Sequence, residues 1–156
     1  MQKLESLINT LENKIECMAI LNPEISKGSV GWHIEHVLLT TNLIIKAIVH
    51  SNPTAYKAKF SLAKLYVFTF KKIPVGRIQA PASVRPLDNL TKESFQHHFK
   101  ISYDSIRKLD SLERNNFFLH PFFGHLNLKS TKEFLQIHTK HHSNIIDKIL
   151  MAGKKT

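Results

Sequence analysis

Near the C-terminus, residues 130–151 read STKEFLQIHTKHHSNIIDKILM, and this segment indicates both the fold class and a candidate site. Its apolar side chains recur every three or four residues, which is the spacing of an amphipathic helix. Ser130 is followed by Glu133 three residues later, a capping-box pattern that predicts the start of the helix. His138 and His142 lie four residues apart, and therefore one turn apart on the same face. We predict a long last helix that turns two imidazoles toward the core.

Four other segments show helical periodicity, and between them lies one that cannot be regular. We predict helices over residues 2–20, 30–50, 54–70 and 92–113, of which 54–70 is a short extra helix. Ser29 and Thr91 are placed to cap the second and the fourth. Residues 71–90 contain prolines and a glycine, which exclude a helix or a central strand, so this is a long Pro-rich crossover that can cover a site. No strand pattern is convincing, and we predict an all-α helix bundle forming a single domain over residues 1–156.

Composition limits the class of protein. The chain has 156 residues, of which 42% are hydrophobic, enough for one core without disulfides or a structural metal. Cys17 is the single cysteine, which excludes an internal disulfide and fits a reducing compartment. The sequence contains neither a secretory signal nor a run of about 18 apolar residues. We therefore expect a soluble cytoplasmic protein with no membrane partner.

The net charge of +10 raises the question of nucleic acid. The densest basic stretch spans residues 57–85 and is interleaved with aromatic side chains. We interpret it as a helix with a solvated lysine face and an aromatic core face. A nucleic-acid surface is the alternative, which we place last because no nucleic-acid-binding motif accompanies the charge.

A third histidine, on the second predicted helix, adds a possible metal ligand to the pair on the last helix. His36 follows Trp32 by one turn on the predicted inward line of the second helix, which continues to Leu39 and Leu43. Neutral imidazole is a favoured ligand for zinc, nickel, copper and iron. Three such nitrogens with an open fourth position form a catalytic type of site, and we predict a zinc or nickel-like ion on His36, His138 and His142. His33 lies near the same face and is the alternative to His36.

Other residues are candidates for the surroundings of that ion. His33, His141, Trp32 and His120 are predicted to contact the ligands or to line the pocket. No catalytic side chain can be assigned, because there is no HExxH pair with its built-in glutamate base. Glu35 is adjacent in sequence to His36 but is expected to point elsewhere. A water or thiol at the open position is left as the reacting group.

These motifs resemble the DinB/YfiT-like superfamily. The matching segments are residues 31–36 (GWHIEH), 120–124 (HPFFG) and 138–142 (HTKHH), in the same order along the chain. Residues 73–77 (IPVGR) and 80–81 (AP) look like a branch of that superfamily without assigned activities.

The resemblance implies a DinB-like four-helix bundle of up-down-down-up topology, with metal ligands at His36, His138 and His142. Characterised members of the superfamily are thiol transferases that use bacillithiol or mycothiol, and a mycothiol-dependent isomerase. By resemblance we expect a homodimer that acts on a small-molecule substrate with a low-molecular-weight thiol, or else a metal-dependent hydrolase. The alternative is a non-catalytic helical scaffold or binding module whose histidines form a structural polar network.

Overall fold

A computed structural model describes residues 2–74, 81–86 and 90–152 of the chain. The described residues form five α-helices and one β-hairpin: α1 (Gln2–Glu12), α2 (Val30–Val49), α3 (Leu62–Phe70), α4 (Lys92–Lys108), β1 (Phe117–His120), β2 (Gly124–Asn127) and α5 (Leu128–Ala152). Short 3₁₀ helices lie at Ile15–Cys17, Pro53–Ala55 and Ala82–Val84. Residues 75–80 and 87–89 of the predicted crossover, and Gly153 after the last helix, lie outside the described residues.

Four helices enclose the core. α1 and α2 each pack against both α4 and α5. The side chains of Ile8, Leu38, Phe99 and Ile146 meet between them and are almost completely buried. The prediction of a mainly helical domain is confirmed. Within the described residues, no helix is both long and apolar enough to cross a bilayer.

The first helix is shorter than predicted, ending at Glu12 instead of residue 20. The backbone beyond it is used by the next helix: the carbonyl oxygens of Met18 and Ile20 accept the N–H groups of Gly31 and Val30. These donors belong to the first turn of α2, where no intrahelical partner exists. A Cβ at Gly31 would lie 2.9 Å from the Met18 oxygen, so this close approach requires glycine. The predicted cap is confirmed, since the Ser29 hydroxyl accepts the Trp32 N–H.

The third helix is also shorter than predicted, because residues 57–61 run along the tip of the hairpin. The Lys57 N–H donates to His125 Nδ1, and the Ser61 hydroxyl donates to the Phe122 carbonyl. We call residues 57–70 the α3 arm. Its predicted aromatic core face is wrong. The side chains at helical spacing along one face are exposed, and they are Leu62, Leu65, Tyr66 and Phe70. Val67, on the opposite side, is the buried residue of α3.

The hairpin was not predicted. β1 and β2 pair antiparallel, with Phe118 opposite Leu126 and His120 opposite Gly124. Strands of four residues are too short for alternating hydrophobicity to be visible in a sequence. Gly124 has a φ of 69°, the left-handed conformation that commonly closes a three-residue hairpin loop.

The ends of the last two helices also differ from the prediction. α4 is capped by Thr91, as predicted, but ends at Lys108 rather than at residue 113. α5 begins at Leu128, and its cap is the Asn127 side chain, whose Oδ1 accepts the Ser130 N–H. The predicted capping box starting at Ser130 is therefore wrong. The hairpin leads directly into α5, so the helix begins where strand pairing ends.

Candidate metal centre

His36, His138 and His142 meet where α2 packs against α5. Their ring centroids are 4.7 Å apart between His36 and His142, 5.1 Å between His36 and His138, and 4.6 Å between His138 and His142. Each ring offers one nitrogen, and these nitrogens all lie within 4.8 Å of one another. All three side chains are buried. The three histidines therefore lie close enough together to bind a metal ion.

Burial keeps these rings neutral. Desolvation is the largest cause of the lowered pKa of His36, and it holds the pKa values of His138 and His142 well below 6.5. Repulsion between the neighbouring rings lowers the pKa of His138 and His142 further. A metal ion binds the neutral form of imidazole, so the lone pairs are available at physiological pH.

His36 is held by the crossover. Its Nδ1 lies 2.8 Å from the carbonyl oxygen of Val84, in the 3₁₀ helix Ala82–Val84. A carbonyl only accepts, so the His36 ring carries its hydrogen on Nδ1 and keeps the lone pair on Nε2. This is the arrangement in which a ligating histidine is oriented by its second nitrogen. The prediction that the crossover covers a site agrees with this contact.

His142 is held by His33, which is predicted to contact the ligands and is the alternative ligand to His36. The two Nδ1 atoms lie 2.9 Å apart. On the far side of the His33 ring, Nε2 lies 2.8 Å from the hydroxyl oxygen of Ser26. His33 is thus hydrogen-bonded through both nitrogens and does not belong to the group of three.

His138 is less constrained than the other two. Its Nδ1 is buried and has no hydrogen-bond partner among the described residues. An unpaired buried polar atom is costly, and a metal ion on either nitrogen would give this ring a polar partner. The donor set therefore fits a divalent ion.

Trp32 and His141 lie against the ligands, as predicted. The Trp32 ring stacks on His36 at 5.2 Å with an interplanar angle of 14°. His141 meets His142 edge-on at 5.1 Å and is half-buried. Both limit the access of water to the rings they cover.

His120 lies in the hairpin turn and is not one of the group of three, although its charge would lower the pKa of His138. Its Nδ1 accepts the backbone N–H groups of Phe122 and Phe123, and its ring stacks on Phe123 at 4.0 Å. Burial lowers the pKa of His120 to about 4, so the ring is neutral with its hydrogen on Nε2. The Phe134 ring contacts both His120, at 4.8 Å, and His138, at 5.8 Å.

Glu35 points away from the three histidines, as expected, but it is buried. Its Oε1 lies 2.6 Å from Nδ1 of His98 on α4, and its Oε2 has no hydrogen-bond partner in the described part of the chain. Burial raises the pKa of Glu35, although His98 opposes this shift. Glu35 is the one buried acidic side chain among the described residues. The described side chains that lie close enough together to share an ion are the three histidines, without a carboxylate.

The spacing of the ligand nitrogens can be compared with that of a zinc site. Nitrogens around a tetrahedral zinc ion lie about 3.3 Å apart, given Zn–N bonds of about 2.0–2.1 Å. A closure of at most roughly 1.5 Å per pair would bring the observed nitrogens to that spacing.

Two residues of the site were not predicted: Ser26, which holds His33, and Val84, which holds the ligand His36. Both residues lie in segments without helical periodicity. Val84 contacts His36 through its backbone carbonyl, and a backbone contact leaves no pattern in the side chains of a sequence. Leu43, placed on the inward line with His36, is 44% exposed, so that line follows the edge of α2 rather than its core face.

Comparison of the chain with family models, with curated proteins and with solved structures finds no match.

Proposed function

We propose that this chain is a metal-dependent enzyme with the four-helix bundle of the DinB-like superfamily, and that it transfers a low-molecular-weight thiol to an electrophilic small molecule. The observation that supports the metal is the group of three buried histidines, His36, His138 and His142. The residues that would hold a zinc or nickel-like ion are these three. When bound, such an ion supplies Lewis acidity and lowers the pKa of a thiol or water at its open position.

The surroundings of the histidines favour a thiol over water. Hydrolysis usually needs a general base beside the attacking water, and the buried carboxylate of Glu35 is turned toward His98. A thiol has a pKa of about 8.5 against about 15.7 for water, so it ionises near a cation more readily than water does. In the transfer, the thiolate sulfur forms a bond to the electrophilic carbon. The leaving group departs with its electron pair, and the thiol proton passes to solvent.

The chain's own residues hold the ligands and exclude water. Val84 and His33 orient the rings of His36 and His142, so two of the three ligands need little reorganisation. Trp32 covers the face of His36. Metal binding is thereby coupled to the packing of α2 against α5. The homodimer stays a prediction from the resemblance.

Metal content of protein purified without a histidine tag tests the proposal. We expect about one ion per chain in wild type. The His138→Ala variant should lose it, whereas His97→Ala, at an exposed position on α4, should retain it. Absence of metal in wild type, together with no uptake of added zinc or nickel, would refute the metal centre.

Cobalt substitution then distinguishes thiol from water. Adding a small thiol to the cobalt-loaded protein should produce a thiolate-to-cobalt absorption band if sulfur takes the open position. A spectrum that is unchanged by thiols but sensitive to pH would instead indicate water and favour the hydrolase.

A further inference from the structure

A continuous hydrogen-bonded chain leads from the metal centre to the loop before α2. It runs from His142 Nδ1 to His33 Nδ1, at 2.9 Å, and from His33 Nε2 to Ser26 Oγ, at 2.8 Å. The Ser26 oxygen also accepts the N–H of Gly28 at 3.1 Å. Both histidines are buried, and Ser26 is half-buried.

This chain can hold its hydrogens in two ways, since a neutral imidazole has one N–H and one lone pair. In the first, Ser26 donates to His33, His33 donates to His142, and the hydrogen of His142 lies on Nε2. In the second, His142 donates from Nδ1 to His33, and His33 donates from Nε2 to Ser26. The number of hydrogens is the same, but only the second leaves the Nε2 lone pair of His142 free for an ion.

The other two ligands do not depend on such a choice. The partner of His36 is the Val84 carbonyl, which cannot donate, so that tautomer is set whether or not an ion is bound. His138 Nδ1 has no partner among the described residues. The tautomer of His142 therefore depends on a chain of hydrogen bonds that ends at Ser26, two hydrogen bonds away.

We propose that Ser26 and His33 are positioning residues, which stabilise the tautomer of His142 that presents Nε2 to the metal ion. The inference rests on the proposed metal centre for its functional meaning. The Gly28 N–H holds the Ser26 oxygen in place while leaving it a lone pair for His33. Without that oxygen, the second arrangement buries an unpaired N–H on His33, whereas the first leaves only an unpaired lone pair. Because an orphaned N–H is the costlier of the two, loss of Ser26 shifts His142 toward the tautomer that cannot ligate through Nε2.

Two variants of Ser26 test this. Zinc affinity, measured by competition with a chromophoric chelator, should fall about 10–100-fold in Ser26→Ala, as for other residues that orient metal ligands. Ser26→Thr keeps the hydroxyl and should bind zinc nearly as tightly as wild type. Equal affinities of wild type and Ser26→Ala would overturn the positioning role while leaving the metal centre intact. An equal loss in both variants would also overturn it, because the hydroxyl would not be the cause.

A second measurement is independent of metal binding. Nitrogen-15 NMR of the imidazole rings in metal-free protein reports which nitrogen of His142 carries the hydrogen. We expect Ser26→Ala to raise the fraction with hydrogen on Nε2, and Ser26→Thr to restore the wild-type fraction. The same tautomer in all three proteins would contradict the inference. If wild type binds no metal, the proposed function fails and this spectrum still decides the role of Ser26.

Discussion

The α2–α5 contact and the α3 arm both carry apolar side chains at helical spacing, but they differ in what covers them. On α2, Ile34, Leu38 and Ile45 are buried. Four histidines of α2 and α5 are buried as well: His33, His36, His138 and His142. On α3, Leu62 and Phe70 occupy equivalent positions of an apolar stripe and are 73% and 60% exposed. The spacing identifies residues that share a face, but it does not identify which face the rest of the chain will cover.

Length and neighbours explain the difference. α2 has 20 residues and α5 has 25, so each spans the core and contacts several elements along its length. α3 has nine residues and follows a segment bound to the hairpin tip. A helix that short depends on tertiary contacts for its stability. Its orientation is set by Val67 and by the half-buried Phe68, which packs on Phe123 of the hairpin.

The largest predicted effect comes from matched truncations of a leucine in each of the two regions. Leu38→Ala opens a cavity in a completely buried position and should lower the free energy of unfolding by about 2–5 kcal/mol. Leu62→Ala removes the same atoms from an exposed position and should change it by less than about 0.5 kcal/mol. Urea unfolding of both variants measures the difference. A large loss in Leu62→Ala would mean that the apolar stripe of α3 is covered in solution.

Acid should destabilise the α2–α5 contact more than the α3 arm, because buried histidines lie at that contact and residues 57–70 contain none. The pKa of His33 is lowered from 6.5 to about 4 by burial and by repulsion from His36 and His141. Between these pH values the unfolded chain binds more protons than the folded one, so stability falls as the pH drops below 6.5. The loss from His33 alone should be on the order of 3 kcal/mol, at about 1.4 kcal/mol per pKa unit.

Urea unfolding of chelator-treated protein at about pH 7.5 and about pH 5 measures about 2 kcal/mol of this loss, because pH 5 lies about 1.5 units below 6.5. His33→Gln should show a smaller drop between the two pH values than wild type, whereas His97→Gln, on the surface of α4, should not. If His33→Gln lost as much stability on acidification as wild type, the buried ring would not be responsible.

The smallest predicted effect concerns the start of α5. Asn127→Ala removes the side chain that accepts the Ser130 N–H and should cost about 1 kcal/mol of unfolding free energy. Ser130→Ala removes a hydroxyl that has no hydrogen bond among the described residues and should be nearly neutral. The opposite ranking in urea unfolding would restore Ser130 as the cap.

Much of the helical architecture and the choice of ligands could be read from the sequence. Periodicity located five helical segments, and the caps Ser29 and Thr91 are confirmed, because a capping side chain acts within three residues of its own position. His138 and His142 could be paired because four residues of a helix bring side chains to one face. His36 was found because it lies on the buried half of α2, although its predicted neighbour Leu43 does not.

Tertiary contacts alone decided the remainder. Met18 and Ile20 lie beyond the end of α1, and their backbone carbonyl groups accept the first N–H groups of α2. The Val84 carbonyl contacts His36, which is 48 residues away in the sequence. His33 became the partner of His142 instead of a ligand because Ser26 and His142 meet its two nitrogens from different parts of the chain. A sequence determines local periodicity and side-chain chemistry, since both depend on neighbouring residues. Which face is covered and which nitrogen is free depend on atoms that only folding brings together.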